Sequence, residues 1–148
     1  MAGVAATLTS TGLTEAIAKV RRLEGFRLAE LADDAGAVLE SSTRRRFDTA
    51  VAPDGDRWAP WSESYDETRD HDVHSLLVDE GDLRDSIASY ASESEVQVGS
   101  NLVYAAHHQI GGDEIDSGIP ARPYLGVSDE DELDLHDLVT VTLEDLLQ

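Results

Sequence analysis

IPARPYLGVSDED, residues Ile119–Asp131, joins two kinds of chain whose reading decides the fold. Up to Val127 the stretch is extended. Pro120 and Pro123 each fix φ near −65° and disfavour helix in the residue before them. Arg122 sits between them, its guanidinium carried on a backbone of pre-set direction. From Ser128 the chain turns helical. Ser128 with Asp131 three residues on makes an [ST]-x-x-[DE] capping pattern. Asp129, Glu130 and Asp131 place negative charge at the positive end of a helix. Leu135, Leu138, Val139 and Leu146 then supply that helix with an apolar face.

Working back from Ile119, YAAHHQIGG reads as a helical turn stopped by Gly111 and Gly112, with an acidic loop to Ser117. Val96 and Val98 alternate with polar neighbours, and a second strand runs from Ile87 to Tyr90. Ser92–Ser94 lie between the two, which predicts a hairpin. Upstream, Leu76, Leu77 and Val78 precede a turn at Gly81. Residues Tyr65–His74 are charged and aperiodic, so a mobile loop is expected over about 62–75. PDGDRWAPWS (53–62) is rich in turn residues and follows a helical region ended by Pro53.

That helical region has two parts. Leu13, Ala16, Ile17, Val20 and Leu23 fall at helical spacing, Gly25 interrupts, and an amphipathic stripe from Leu28 runs on to Phe47. Arg44, Arg45 and Arg46 fall in its last turns, where cations meet the negative helix end favourably. Val4–Leu8 reads as a short edge strand. The expected fold is α+β in one domain, 1–148: N-terminal helices, a small antiparallel β-sheet with a hairpin, and a C-terminal helix.

Charge limits the partners. Asp and Glu number 31 against 11 Lys and Arg, a formal net charge of −20, and Lys19 is the single lysine. Apolar residues at structural periods argue against disorder. Adaptation to high salt accounts for the acidity: at about 1 M the Debye length is about 3 Å, so crowded carboxylates stop repelling one another. Bulk attraction to nucleic acid is disfavoured. The chain has no cysteine, which removes disulfides and thiolate metal sites. No apolar run is long enough to span a bilayer, and the N-terminus lacks a signal-peptide pattern.

Catalytic patterns are missing. There is no Gly-x-Ser-x-Gly, no cysteine nucleophile and no Gly-rich phosphate loop. His71 and His74, beside Asp70 and Asp72, form a possible metal-binding loop without the second half of a known zinc spacing. His107 and His108 point opposite ways on their helical turn. No catalytic, cofactor or metal residue is assigned. Trp58 and Trp61 flank Pro60 in a chain poor in aromatics. Trp in a loop either anchors it to the core or marks an interface. Arg122 either braces the chain internally or bridges to a carboxylate of a neighbouring subunit.

Taken in order, RRRF, PDGDRWAPWS, LLVDEGDLRDSI, VQVGSNLVYAAHHQIGG and IPARPYLGVSDED resemble the virion morphogenesis (tail completion) family of tailed phages. The resemblance covers roughly residues 44–131. Its more specific parts are Gly-x-Leu-x-x-Ser-Ile, Tyr-Ala-x-x-His-Gln-x-Gly and Ile-Pro-Ala-Arg-Pro. It implies a structural virion protein, a homo-oligomeric ring at the head–tail joint. Implied partners are the tail tube or tail terminator and the head completion or connector protein, with DNA met only in passage and no membrane. The acidity would suit a virus of a salt-loving host. The alternatives are a head-closure or minor capsid protein and a metal-dependent hydrolase using the histidine loop. The resemblance carries no catalytic residues. From their chemistry, Trp58, Trp61, Arg122 and Tyr124 are expected at or beside a subunit contact.

Overall fold

The computed structural model describes residues 12–24, 28–69, 75–92 and 95–148, with the backbone alone for Leu13, Glu24 and Glu114. Two N-terminal helices, α1 (Leu13–Glu24) and α2 (Leu28–Thr49), are separate elements as their spacing predicts. The strand expected at Val4–Leu8 lies outside the described residues, as do His71 and His74. Helix α2 is the spine of the fold. It packs against both strands of a hairpin and against the C-terminal helix, and α1 lies on that same C-terminal helix.

The hairpin pairs β1 (Ala88–Ala91) with β2 (Val96–Gly99), antiparallel, with Ala88 opposite Gly99 and Ala91 opposite Val96. The two strands form the one sheet among the described residues. Ser89 nearly touches Gly36 of α2: a Cβ on Gly36 would come within 3.1 Å of the Ser89 hydroxyl. The lack of a side chain there lets helix and sheet approach closely.

Short elements connect these parts. Residues Glu63–Asp66 form a one-turn helix, α3, within the segment read as an aperiodic loop. Gly81, at φ 91°, starts α4 (Asp82–Asp85), and α5 spans Ala105–Ile110. Helix α5 stops at Gly111, whose φ is 81° and whose Cβ, if it had one, would lie 2.9 Å from the Ala121 amide nitrogen. Any side chain there would meet both left-handed strain and the neighbouring chain. The last helix, α6 (Asp129–Leu147), begins at Ser128 with both arms of the capping box made.

The core is small and aromatic. Phe47, from the end of α2, stacks edge-on with Trp58 at 5.5 Å between centroids and tilts against Tyr124 at 5.3 Å. Leu83, Ile87, Ala52 and Ala105 close around them. The apolar stripe of α1 does not reach this core; Ile17 and Val20 stay largely exposed. The fold is α+β, with helices at both ends around a minimal sheet.

Candidate functional site

Residues 119–128 run as an extended strap into α6, held largely through main-chain groups. Burial explains why. An extended segment without a sheet partner must find other hydrogen bonds for its N–H and C=O groups. Three side chains, Gln109, Trp58 and Arg46, and the His108 carbonyl provide them.

Gln109 of α5 substitutes for a missing strand. Its Oε1 accepts from the Tyr124 and Leu125 N–H groups, both at 2.9 Å, and its Nε2 donates to the Leu125 carbonyl at 3.1 Å. The Arg122 N–H donates to the His108 carbonyl at 2.7 Å. Trp58 Nε1 donates to the Pro123 carbonyl at 2.7 Å, and Tyr124 Oη donates to the Ala105 carbonyl at 2.7 Å.

Arg122 returns the contact. Its Nε reaches the Ala59 carbonyl at 2.7 Å and its Nη2 the Pro60 carbonyl at 2.8 Å. The carboxylate expected as its partner is not found among the described residues; two carbonyls of the Trp58–Pro60 turn take that place. Burial lowers the guanidinium's pKa. The prolines therefore aim Arg122 inward, as an internal brace.

Arg46 corrects the reading of the triple arginine. Arg45 stays in solvent, and Arg44 pairs with Glu40 at 3.0 Å while donating to the Ile87 carbonyl. Arg46, the one of the three in the last turn of α2, is buried and turns its guanidinium to the strap. It donates to the Tyr124 carbonyl at 2.7 Å, the Gly126 carbonyl at 3.0 Å and the Ser42 hydroxyl at 3.3 Å, and it forms an ion pair with Asp131. Asp131 is wholly buried, and its Oδ2 also accepts from the Ser128 N–H at 2.8 Å. Burial pushes its carboxyl up. The Ser128 amide, the Ser42 and Ser128 hydroxyls and Arg46 outweigh that, and the net pKa lies below the usual carboxylate range. One carboxylate thus starts α6 and ties it to the end of α2.

A cavity of about 620 Å³ opens beside the strap, bounded by Trp61, Tyr65, Leu77, Tyr104, His108 and Arg122. Arg69 stacks over the Trp61 ring at 3.6 Å. His108 Nδ1 is buried and has no hydrogen-bond partner among the described residues. Burial, then Arg122, then His107 lower its pKa, which disfavours the charged ring.

Of the four residues expected at a contact, Trp58, Arg122 and Tyr124 are buried within the chain, and Trp61 is half-buried at the cavity rim. The structure joins Trp58, Arg122 and Tyr124 into one junction. Sequence reasoning missed Gln109, Arg46 and Asp131 as its organisers. Ser42, Arg46 and Phe47 do share a helix face with the apolar stripe, which is the signal that separates Arg46 from its two neighbours. Gln109 stood inside the Tyr-Ala-x-x-His-Gln-x-Gly motif with no chemistry attached to it. Among the described residues no group of three or more His, Asp or Glu is placed to hold a metal ion. No described helix is long and apolar enough to cross a membrane.

The five motifs that are far apart in sequence meet at this junction: Arg46 and Phe47, Trp58 to Pro60, Leu83 and Ile87, Ala105 to Gln109, and the strap itself. The chain belongs to the phage virion morphogenesis family, whose model matches residues 8–144. It is 37% identical over 111 residues to the putative capsid assembly protein G of Escherichia phage Mu, covering 70% of this chain and 71% of that protein. It is also 44% identical over 63 residues to the Mu-like prophage FluMu G protein 2 of Haemophilus influenzae, covering 40% of this chain and 45% of that protein. No solved structure matches the chain.

Proposed function

We propose that the protein is a ring-forming tail completion or neck component at the head–tail joint of a tailed virus. Family membership supports a role in building the particle. The observation that carries the reading is what the shared motifs do: they spend their polar groups on a rigid internal junction. That suits a structural part that must hold one shape under load.

The net charge of −20 supports the position. A ring around passing DNA gains from a negative wall, because duplex phosphates then slide and do not stick. Its neighbours would be the tail tube or terminator protein on one side and the head completion or connector protein on the other. Subunit contact at this site narrows to Trp61 and the cavity rim, since Trp58, Arg122 and Tyr124 are spent inside. The acidity fits particles assembled in a host of high internal salt.

The name of the phage Mu relative, a putative capsid assembly protein, favours a second reading as a head-closure or minor capsid protein. A metal-dependent hydrolase would have to rest on His71 and His74, and metal analysis of the purified protein tests it. An electron-microscopic reconstruction of intact particles, giving position and copy number, tests the main reading. A ring at the joint is expected. Localisation in the shell favours the second reading, and absence from purified particles overturns both.

A further inference from the structure

The two edges of the hairpin are treated differently. In an antiparallel pair, alternate residues point their N–H and C=O groups into the ladder and away from it. Ser92 N–H bonds the Glu95 carbonyl inside the hairpin, so Ser89 and Ala91 of β1 and Val96 and Val98 of β2 point outward. On β1 the edge is blocked at Ser89 by α2: Glu40 accepts from both the Ser89 N–H and its hydroxyl at 2.9 Å. On β2 no described residue meets the N–H or C=O of Val96 or Val98. An open edge of this kind is a template for another strand.

Beside β2 lies an apolar groove of about 390 Å³. Leu31 and Ala35 of α2, Val96 of β2, and Leu135, Leu138 and Val139 of α6 line it, with Glu95 the one charged residue in the lining. A strand added to β2 would place every second side chain into this groove while its main chain continued the sheet.

We propose that the open edge of β2 receives residues Val4–Leu8 of a neighbouring copy, so that the subunits are joined by strand donation. Two arguments select this occupant. First, its pattern fits: Val4, Ala6 and Leu8 fall on one side of an extended chain, as the groove requires, with Ala5 and Thr7 on the other. Second, the charge fits. The two longest stretches of the chain free of Asp, Glu, Lys and Arg are residues 1–14 and 96–112. The first contains the donor and the second begins with the acceptor strand. Two copies that each carry −20 must meet through uncharged surface, whereas a basic partner would select a carboxylate-lined one. Donor and acceptor are different surfaces, so the contact is head-to-tail and closes into a ring when the rotation allows. The inference rests on the ring reading above.

The chain has no cysteine, so a disulfide test is clean. Ala5→Cys and Thr7→Cys are each combined with Gln97→Cys, whose side chain is exposed on β2. Oxidation of the full chain in molar salt should link one of these pairs between chains, as adjacent strands bring Cβ atoms within disulfide reach. Deleting residues 2–10 should abolish the oligomer seen by light scattering while circular dichroism retains the helices. A disulfide within one chain, or none with either pair, overturns the inference. An oligomer that survives the deletion also overturns it and leaves the ring reading standing. A full chain that stays monomeric in molar salt and is present in single copy per particle overturns the ring reading itself.

Discussion

Replacing Arg46 with methionine removes the guanidinium while keeping most of its stem, and the structure sets the size of the effect. Arg46 and Asp131 have side-chain exposures of 7% and 1%. Removing one partner of such a pair leaves an uncompensated buried charge, at a cost of about 3–5 kcal/mol. The Tyr124 carbonyl, inside the core, also loses its donor, which adds about 1 kcal/mol or more. The Gly126 carbonyl belongs to an exposed residue and finds water. Arg46→Met is therefore expected to lose about 4–6 kcal/mol, much of the 5–15 kcal/mol typical of a domain. Urea denaturation followed by circular dichroism, in molar salt to quiet the surface charge, measures it. Pairing it with Asp131→Leu completes a cycle. The double variant should recover a large part of the loss, short of the capping box, worth about 1 kcal/mol. A cost below about 1 kcal/mol for Arg46→Met, or zero coupling in the cycle, would refute the buried pair.

The same carboxylate sets an acid limit. Its folded pKa is depressed, so its stabilisation is full above the unfolded value near 4 and is lost as pH falls through the folded one. At molar salt, stability should decline below about pH 4 more steeply in the wild type than in Asp131→Asn. The lowered pKa of His108 acts in the same direction: the unfolded chain takes up its proton first, so stability falls as pH drops below about 6.5. His108→Leu should flatten that slope while His136→Leu, altering an exposed ring, keeps it; equal slopes in all three proteins count against the buried imidazole. Arg122→Ala should lower monomer stability by about 2–3 kcal/mol, with Arg122→Lys rescuing less than half because an ammonium lacks the fork. An unchanged melting temperature with lost assembly would place Arg122 between subunits. Gly111→Ala should cost about 1–3 kcal/mol from φ strain and the approach to Ala121, and a neutral result in thermal melts would contradict the turn. Raising salt from low to molar should raise the melting temperature; a flat response would argue against salt adaptation.

Local rules were strong enough to place the long helices, the hairpin and α5 from the amino acids, whereas the one-turn helices α3 and α4 were not read. The capping box at Ser128 depends on residues three apart, the hairpin on alternation across a short turn, and the stop of α5 on two glycines. Each is a short-range interaction that no distant residue overrides. The family resemblance was legible for the same reason, as an ordered set of short motifs. The assignment of partners was not local. Arg44, Arg45 and Arg46 are identical in chemistry, and only the packing of α2 against the strap sends one of them inward to Asp131, 85 positions along the chain. Arg122 looked like a cation waiting for a carboxylate in a chain full of them, yet its prolines direct it to two carbonyls 62 and 63 residues away. A buried donor is satisfied by whichever acceptor the fold brings within about 3 Å, and that choice is made by tertiary packing alone. The two hairpin edges are of the same kind: alternation marks the strands, but only the placement of Glu40 beside Ser89 shows that β1 is blocked there while Val96 and Val98 of β2 meet no described residue.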